Sequence, residues 1–169
     1  ENMICYNGDK YSDSEKLYML IFKKVDVLDK IYTIGYEGKD FDEFLKLLQK
    51  AKISILIDVR ENPNSRKKGF SKRILSEALK KEGIEYKHFA ELGTPKDIRK
   101  VYQSNGNIDF LLDEYRNYLE ENPKYIANLL EVIGDNDACL MCFEKLPVHC
   151  HRLVIAEYLY QQGMAIKHL

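Results

Sequence analysis

Near the end of the chain, Cys150-His151-Arg152 sets a thiol, an imidazole and a guanidinium on consecutive residues, where a helix is expected to begin. Unpaired backbone N–H groups and the positive end of a helix dipole favour an anion and a thiolate at such a place. Cys150 is thereby a candidate nucleophile and His151 a candidate acid/base, while Arg152 can fork two oxygens of a phosphate, sulfate or carboxylate. The same residues have a structural reading, with Cys150 a small buried hydrophobe, His151 a capping or surface residue and Arg152 a partner for Glu144.

Two carboxylates join this set. Asp58, in Ile57-Asp58-Val59-Arg60, closes an apolar run and must find a partner or have its pKa raised. It is either the structural mate of Arg60, Arg66 or Arg152, or a general acid/base, or the residue that orients one. Glu144 follows another apolar run and is the second candidate acid/base. Between Arg60 and Arg73 stand six basic side chains against the single acid Glu61. That run is a solvated face or an electropositive lip, with Arg60, Ser65 and Arg66 contacting an anionic substrate and Tyr36 or Phe70 stacking on a base. An anionic small molecule or nucleotide is the expected ligand, and nucleic acid could bind through residues 60–73.

Cys139-x-x-Cys142 together with His149, Cys150 and His151 has the residue types of a zinc site. Within a strand, however, residues 139 and 142 point to opposite faces, and no second Cys-x-x-Cys follows. No metal and no cofactor are expected, and a thioredoxin-type redox pair fails as well, because that motif needs both cysteines at a helix start rather than inside a strand.

The elements that must position these groups alternate along the chain. Residues 1–30 are poorly defined: Ser12 or Asp13 can cap a helix over 14–24, yet Leu17 to Phe22 reads equally as a strand. From Ile31 a strand runs to Ile34, and Asp40 with Glu43 forms a capping box for a helix burying Phe41, Phe44, Leu45 and Leu48. Ile53 to Val59 reads as a strand covered on both faces. Ser71 caps the next helix, with Ile74, Leu75, Ala78 and Leu79 inward and Gly83 at its end. Ile84 to Phe89 is a third strand. Pro95 to Gly134 is helical in pieces divided at 104–107 and 122–123, followed by strand 138–143, helix 152–162 and strand 164–169. This pattern predicts one three-layer α/β domain over 31–169, a mostly parallel sheet with helices on both faces. The polar residues named above then gather at the carboxyl ends of the strands, where such sheets bind ligands.

A formal net charge of −1 over 169 residues gives no general attraction to nucleic acid or membrane, so any electrostatic preference is local. Cys5, Cys139, Cys142 and Cys150 accompany no secretory leader and are read as reduced, which predicts a cytoplasmic protein. No run reaches the length of a membrane span.

Thr33-Ile34-Gly35-Tyr36-Glu37-Gly38, Ile57-Asp58-Val59-Arg60 with Pro63 and Ser65, Gly69-Phe70-Ser71, Leu92-Gly93, and Cys142-x-Glu144 leading to Cys150-His151-Arg152 form an ordered series. This series resembles the motifs of the domain of unknown function 488 family from about Ile31 onward. The resemblance implies an α/β fold and a shared pocket around Asp58, Arg60, Ser65, Glu144, Cys150, His151 and Arg152, without specifying a reaction. Three functions are carried forward: an enzyme acting on a phosphate-bearing or other anionic substrate, a non-catalytic nucleotide or nucleic-acid binding module, and a structural or partner-binding domain.

Overall fold

The structure, a computed structural model, describes residues 30–169. Cys5 and the helix or strand expected between residues 12 and 24 lie outside the described residues. Five strands are connected through helices: β1 (Lys30–Gly35), α1 (Phe41–Lys50), β2 (Ile55–Asp58), α2 (Lys72–Lys81), β3 (Glu85–His88), α3 (Lys96–Asn105), α4 (Ile108–Glu121), α5 (Pro123–Ile133), β4 (Ala138–Cys142), α6 (Arg152–Gln161) and β5 (Ala165–His168). The sheet is parallel throughout, in the order β3-β2-β4-β1-β5. Because β4 pairs with both β2 and β1, the turns that follow Asp58, Gly35 and Cys142 open side by side at one edge.

The central strands are buried on both faces. Leu56, Cys139 and Met141 pack with Phe44 and Leu48 of α1 and with Leu75 and Leu79 of α2. On the other face Ile55, Ile57, Leu140 and Cys142 meet Tyr115 and Leu119 of α4, Leu129 and Ile133 of α5, and Val154, Ile155 and Leu159 of α6. Three layers result, helices, sheet and helices, as the strand-helix alternation predicts. Among the described residues no helix is long and apolar enough to cross a membrane.

The helix ends are set by local chemistry. Asp40 accepts the Glu43 N–H at 2.7 Å, and Gly83, with φ +73°, takes the left-handed position after α2. Two expectations about α2 are corrected. Ser71 stands at its N-cap, but its hydroxyl accepts from the Ser65 N–H at 3.2 Å and donates to the Ser65 carbonyl at 2.9 Å, so it staples the preceding loop. Ile74 is 45% exposed: the buried stripe runs through Leu75 and Leu79, and the preceding residue falls about 100° around the helix from it.

Candidate active site

At the carboxyl edge β4 ends in Cys142, a short turn carries Glu144, and the chain re-enters the fold through Cys150 and His151 into α6. The backbone of that turn lies against β1. A Cβ on Gly35 would stand 1.8 Å from the Glu144 carbonyl oxygen, so only glycine permits the approach. Gly93 does the same on the other side, where an added Cβ would meet the Glu61 nitrogen at 2.1 Å. These contacts give the Gly35 and Leu92-Gly93 motifs a physical cause: they let three turns converge.

Cys142, Cys150 and His151 are buried and meet. Nδ1 of His151 is 3.9 Å from the sulfur of Cys142 and 3.9 Å from that of Cys150. Its Nε2 is 2.9 Å from the Val59 carbonyl oxygen, an acceptor only, so Nε2 carries a hydrogen. The Cys142 thiol donates to Glu144 Oε2 at 3.1 Å, and the Tyr115 ring meets the imidazole edge-on at 5.0 Å. Burial opposes a thiolate at Cys150, but the Cys142 hydrogen bond and the charges of Arg152 and His151 overcome it and hold the Cys150 thiol well below its usual range. The Cys142 thiol is pushed far up, first by its hydrogen bond to Cys150 and then by burial. Burial, followed by the Cys150 charge, pushes Glu144 up to about 7. At His151 burial favours the neutral ring, yet the neighbouring Cys150 raises it.

Two cavities reach this cluster. One of about 190 Å³ is lined by Cys142, Glu144 and His151 together with Arg60, Thr94 and Arg99. Another of about 120 Å³ includes Cys150 with Glu144, His151, Thr94 and Arg99. Arg99, from the first turns of α3, is paired to Glu61 at 2.5 Å with 36% of its side chain exposed. Half-exposed Phe143 stands in the wall of the larger cavity, its ring edge-on to Tyr36 at 5.3 Å. Thr94, Arg99 and Phe143 were not among the residues singled out from the sequence. The turn after β3, which holds Thr94, was legible as a member of the same edge, whereas nothing in a helical Lys96–Asn105 marks Arg99.

The remaining candidates form or back the wall of the larger cavity, with Arg60 and Tyr36 in its lining. Asp58 is wholly buried and accepts from Arg60 Nε at 2.8 Å, Arg60 Nη2 at 2.6 Å, the Arg60 backbone N–H at 3.1 Å and the Tyr86 hydroxyl at 2.6 Å. Arg60 directs its other donors to the Tyr36 hydroxyl and to the carbonyls of Phe70 and Pro63. Burial opposes its charge, but the Asp58 bonds outweigh that and raise it. Tyr36 and Phe70, both buried, stack on each other at 4.3 Å and 10°. The Tyr36 hydroxyl also reaches Ser65 at 3.3 Å. His88 contacts the Arg60 carbonyl at 2.8 Å. Asp58, Arg60, Ser65, Tyr36 and Phe70 are thus brought together as one interlocked wall. Arg66 is exposed on the loop beside it. Lys67 reaches back to the Tyr36 carbonyl at 2.7 Å.

Arg152 lines neither of these cavities. It is 1% exposed and donates to the carbonyls of Glu144 at 2.6 Å and Lys145 at 3.0 Å. Its Nε has no hydrogen-bond partner, and it forms no ion pair with a carboxylate among the described residues. The sequence reading that paired it to Glu144 is met at the backbone oxygen of that residue. Cys139 lies on the opposite face of the sheet from Cys142, as strand periodicity requires. Strand periodicity separates Cys139 from Cys142 but does not separate Cys142 from Cys150 and His151, whose donor atoms lie within 4.8 Å of one another.

The sequence matches the model of a family described as Domain of unknown function DUF488 over residues 40–159. The match takes in the motifs from Asp58 to Arg152, while Thr33 to Gly38 precede it. No curated protein and no solved structure matches the chain.

Proposed function

We propose, given that the chain belongs to the DUF488 family, that it is an enzyme whose reactive centre is the Cys142–Glu144–Cys150–His151 cluster and whose substrate is a small phosphate-bearing or otherwise anionic molecule. The observation that carries this reading is convergence: two thiols, an imidazole and a carboxylate from one turn meet beneath two cavities. A core built only for stability has no use for four such groups in contact.

In this reading Cys150 is the nucleophile. His151, anchored on Val59, is the neighbouring base that takes the thiol proton, and Glu144 exchanges protons with the substrate in the cavity. Arg99 binds the anionic group, Arg66 adds positive charge at the approach, and Phe143 offers a face to a ring. Asp58, Arg60, Tyr36, Phe70 and Ser65 act as positioning residues that hold the wall. Arg152 supplies a buried positive charge toward the thiolate.

Iodoacetamide treatment in chelator-containing buffer, with modified peptides identified by mass, tests this. Cys150 is expected to react at least ~10-fold faster than Cys139, inorganic phosphate or AMP is expected to slow it, and Arg99→Met to remove that protection. Equal rates at the two cysteines would sink the nucleophile, and indifference to both anions would sink the substrate class. Oligonucleotide binding with a steep salt dependence and no effect on Cys150 would instead favour a nucleic-acid module acting through residues 60–73.

A further inference from the structure

The two sulfurs and the imidazole are spaced as ligands of one ion. Each sulfur stands 3.9 Å from Nδ1 of His151, and all three donor atoms lie within 4.8 Å of one another. A tetrahedral zinc ion, about 2.3 Å from sulfur and about 2.0–2.1 Å from nitrogen, holds such donors roughly 3.5–3.8 Å apart. The sulfur–nitrogen distances close around a common centre with displacements of a few tenths of an ångström, and the sulfur–sulfur distance with at most about 1 Å.

The imidazole is also supported as a metal ligand is. Its Nε2–H is tied to the Val59 carbonyl, which fixes the ring orientation and, in the neutral ring, leaves the Nδ1 lone pair facing both sulfurs. Glu144 stands beside the fourth position, 3.1 Å from Cys142 and in the lining of both cavities. Thiolates with imidazole select a soft or borderline ion such as zinc over the oxygen-seeking magnesium or calcium. Charge is consistent: two thiolates neutralise a divalent ion, and the Glu144 carboxylate balances the buried guanidinium of Arg152, which forms no carboxylate ion pair among the described residues.

We propose that Cys142, Cys150 and His151 bind one divalent ion of the zinc class, with Glu144 beside a fourth coordination position that faces the cavity. Each thiol that ligates releases its proton to solvent. The inference uses the side chains of the thiol reading without resting on it: an ion here holds the Cys150 sulfur, so metal-bound centre and free nucleophile are alternative states of one site.

The full chain, stripped with chelator and titrated with cobalt(II) and then zinc, tests the proposal. One ion per chain is expected, with the thiolate-to-cobalt absorption and d–d bands of a tetrahedral ion, displaced by zinc. Cys142→Ser, Cys150→Ser and His151→Gln are each expected to weaken binding at least ~10-fold, and Cys139→Ala, on the other face of the sheet, to leave it unchanged. Should those variants fail to fold, the wild-type chain decides: zinc must protect Cys142 and Cys150, but not Cys139, from iodoacetamide. Absence of stoichiometric uptake, an octahedral spectrum without the thiolate band, or unprotected Cys142 and Cys150 overturns the site. A chain that binds no ion yet reacts at Cys150 retains the nucleophile and loses the metal. One that binds an ion but has an unreactive metal-free Cys150 does the reverse.

Discussion

Asp58 and Arg60 show what enclosure does to a charged pair. Each is taken out of water, which is costly, and the loss is offset because the pair is bidentate and the remaining lone pairs and N–H groups find Tyr86, Tyr36, Phe70 and Pro63. Removing one partner leaves the other charge buried and bare. Arg60→Met is therefore expected to destabilise the protein by about 3–5 kcal/mol, and the double variant Asp58→Asn/Arg60→Met by less than the two single losses added together. Urea unfolding of the four proteins checks this, and a loss below about 1 kcal/mol for Arg60→Met would place the pair in water. The residue pattern Asp-x-Arg made Arg60 one of three possible mates of Asp58, beside Arg66 and Arg152. It did not reveal that all five guanidinium donors turn inward, because the three not taken by Asp58 go to the Tyr36 hydroxyl and to the carbonyls of Phe70 and Pro63.

At the scale of elements, the connection between β4 and α6 carries the cluster, and glycines in other elements allow it to lie where it does. Gly35→Ala places a methyl group against the Glu144 carbonyl, the same oxygen that accepts from Arg152. The expected result is a loss of about 1–3 kcal/mol together with loss of the preferential alkylation of Cys150, since the turn carrying Glu144 must move. Asp40→Ala is the matched control. It removes the α1 cap bond to the Glu43 N–H and is expected to lower stability by about 0.5–2 kcal/mol while Cys150 alkylates as before. Denaturation midpoints and peptide mapping of both variants separate the outcomes; a Gly35→Ala protein with unaltered Cys150 reactivity contradicts the steric account.

For the whole molecule, the last strand links sheet closure to pH. His168 on β5 lies 2.7 Å from the Thr33 hydroxyl of β1, and burial, then the charge of Arg152, lowers it from 6.5 to about 4. The folded pKa is below the unfolded one. Under pH 6.5 the unfolded chain therefore takes a proton that the folded chain refuses, and stability is lost as pH falls from 6.5 toward about 4. Above that window the group contributes no slope. Urea midpoints between pH 7 and 4 are expected to fall more steeply for the wild-type chain than for His168→Gln; parallel curves would show that His168 titrates normally.

What the sequence determined by itself is what depends on neighbours within a turn or on period. Asp40 before an apolar stripe starts α1, Gly83 ends α2, and residues 104–107 and 122–123 divide the helices, because caps and breaks act locally. Strand period alone set Cys139 and Cys142 on opposite faces. The alternation of strand and helix was enough for a parallel sheet in three layers. Only the tertiary structure decided that β4 lies between β2 and β1, and hence which turns share an edge. It decided that Tyr36 and Phe70 stack on each other, that Arg99 from α3 faces the cavities, and that Cys142 meets Cys150 and His151. The physical reason is that these partnerships are distances through space between segments remote along the chain. Strand order and close backbone approach fix such distances, and residue spacing carries no record of them.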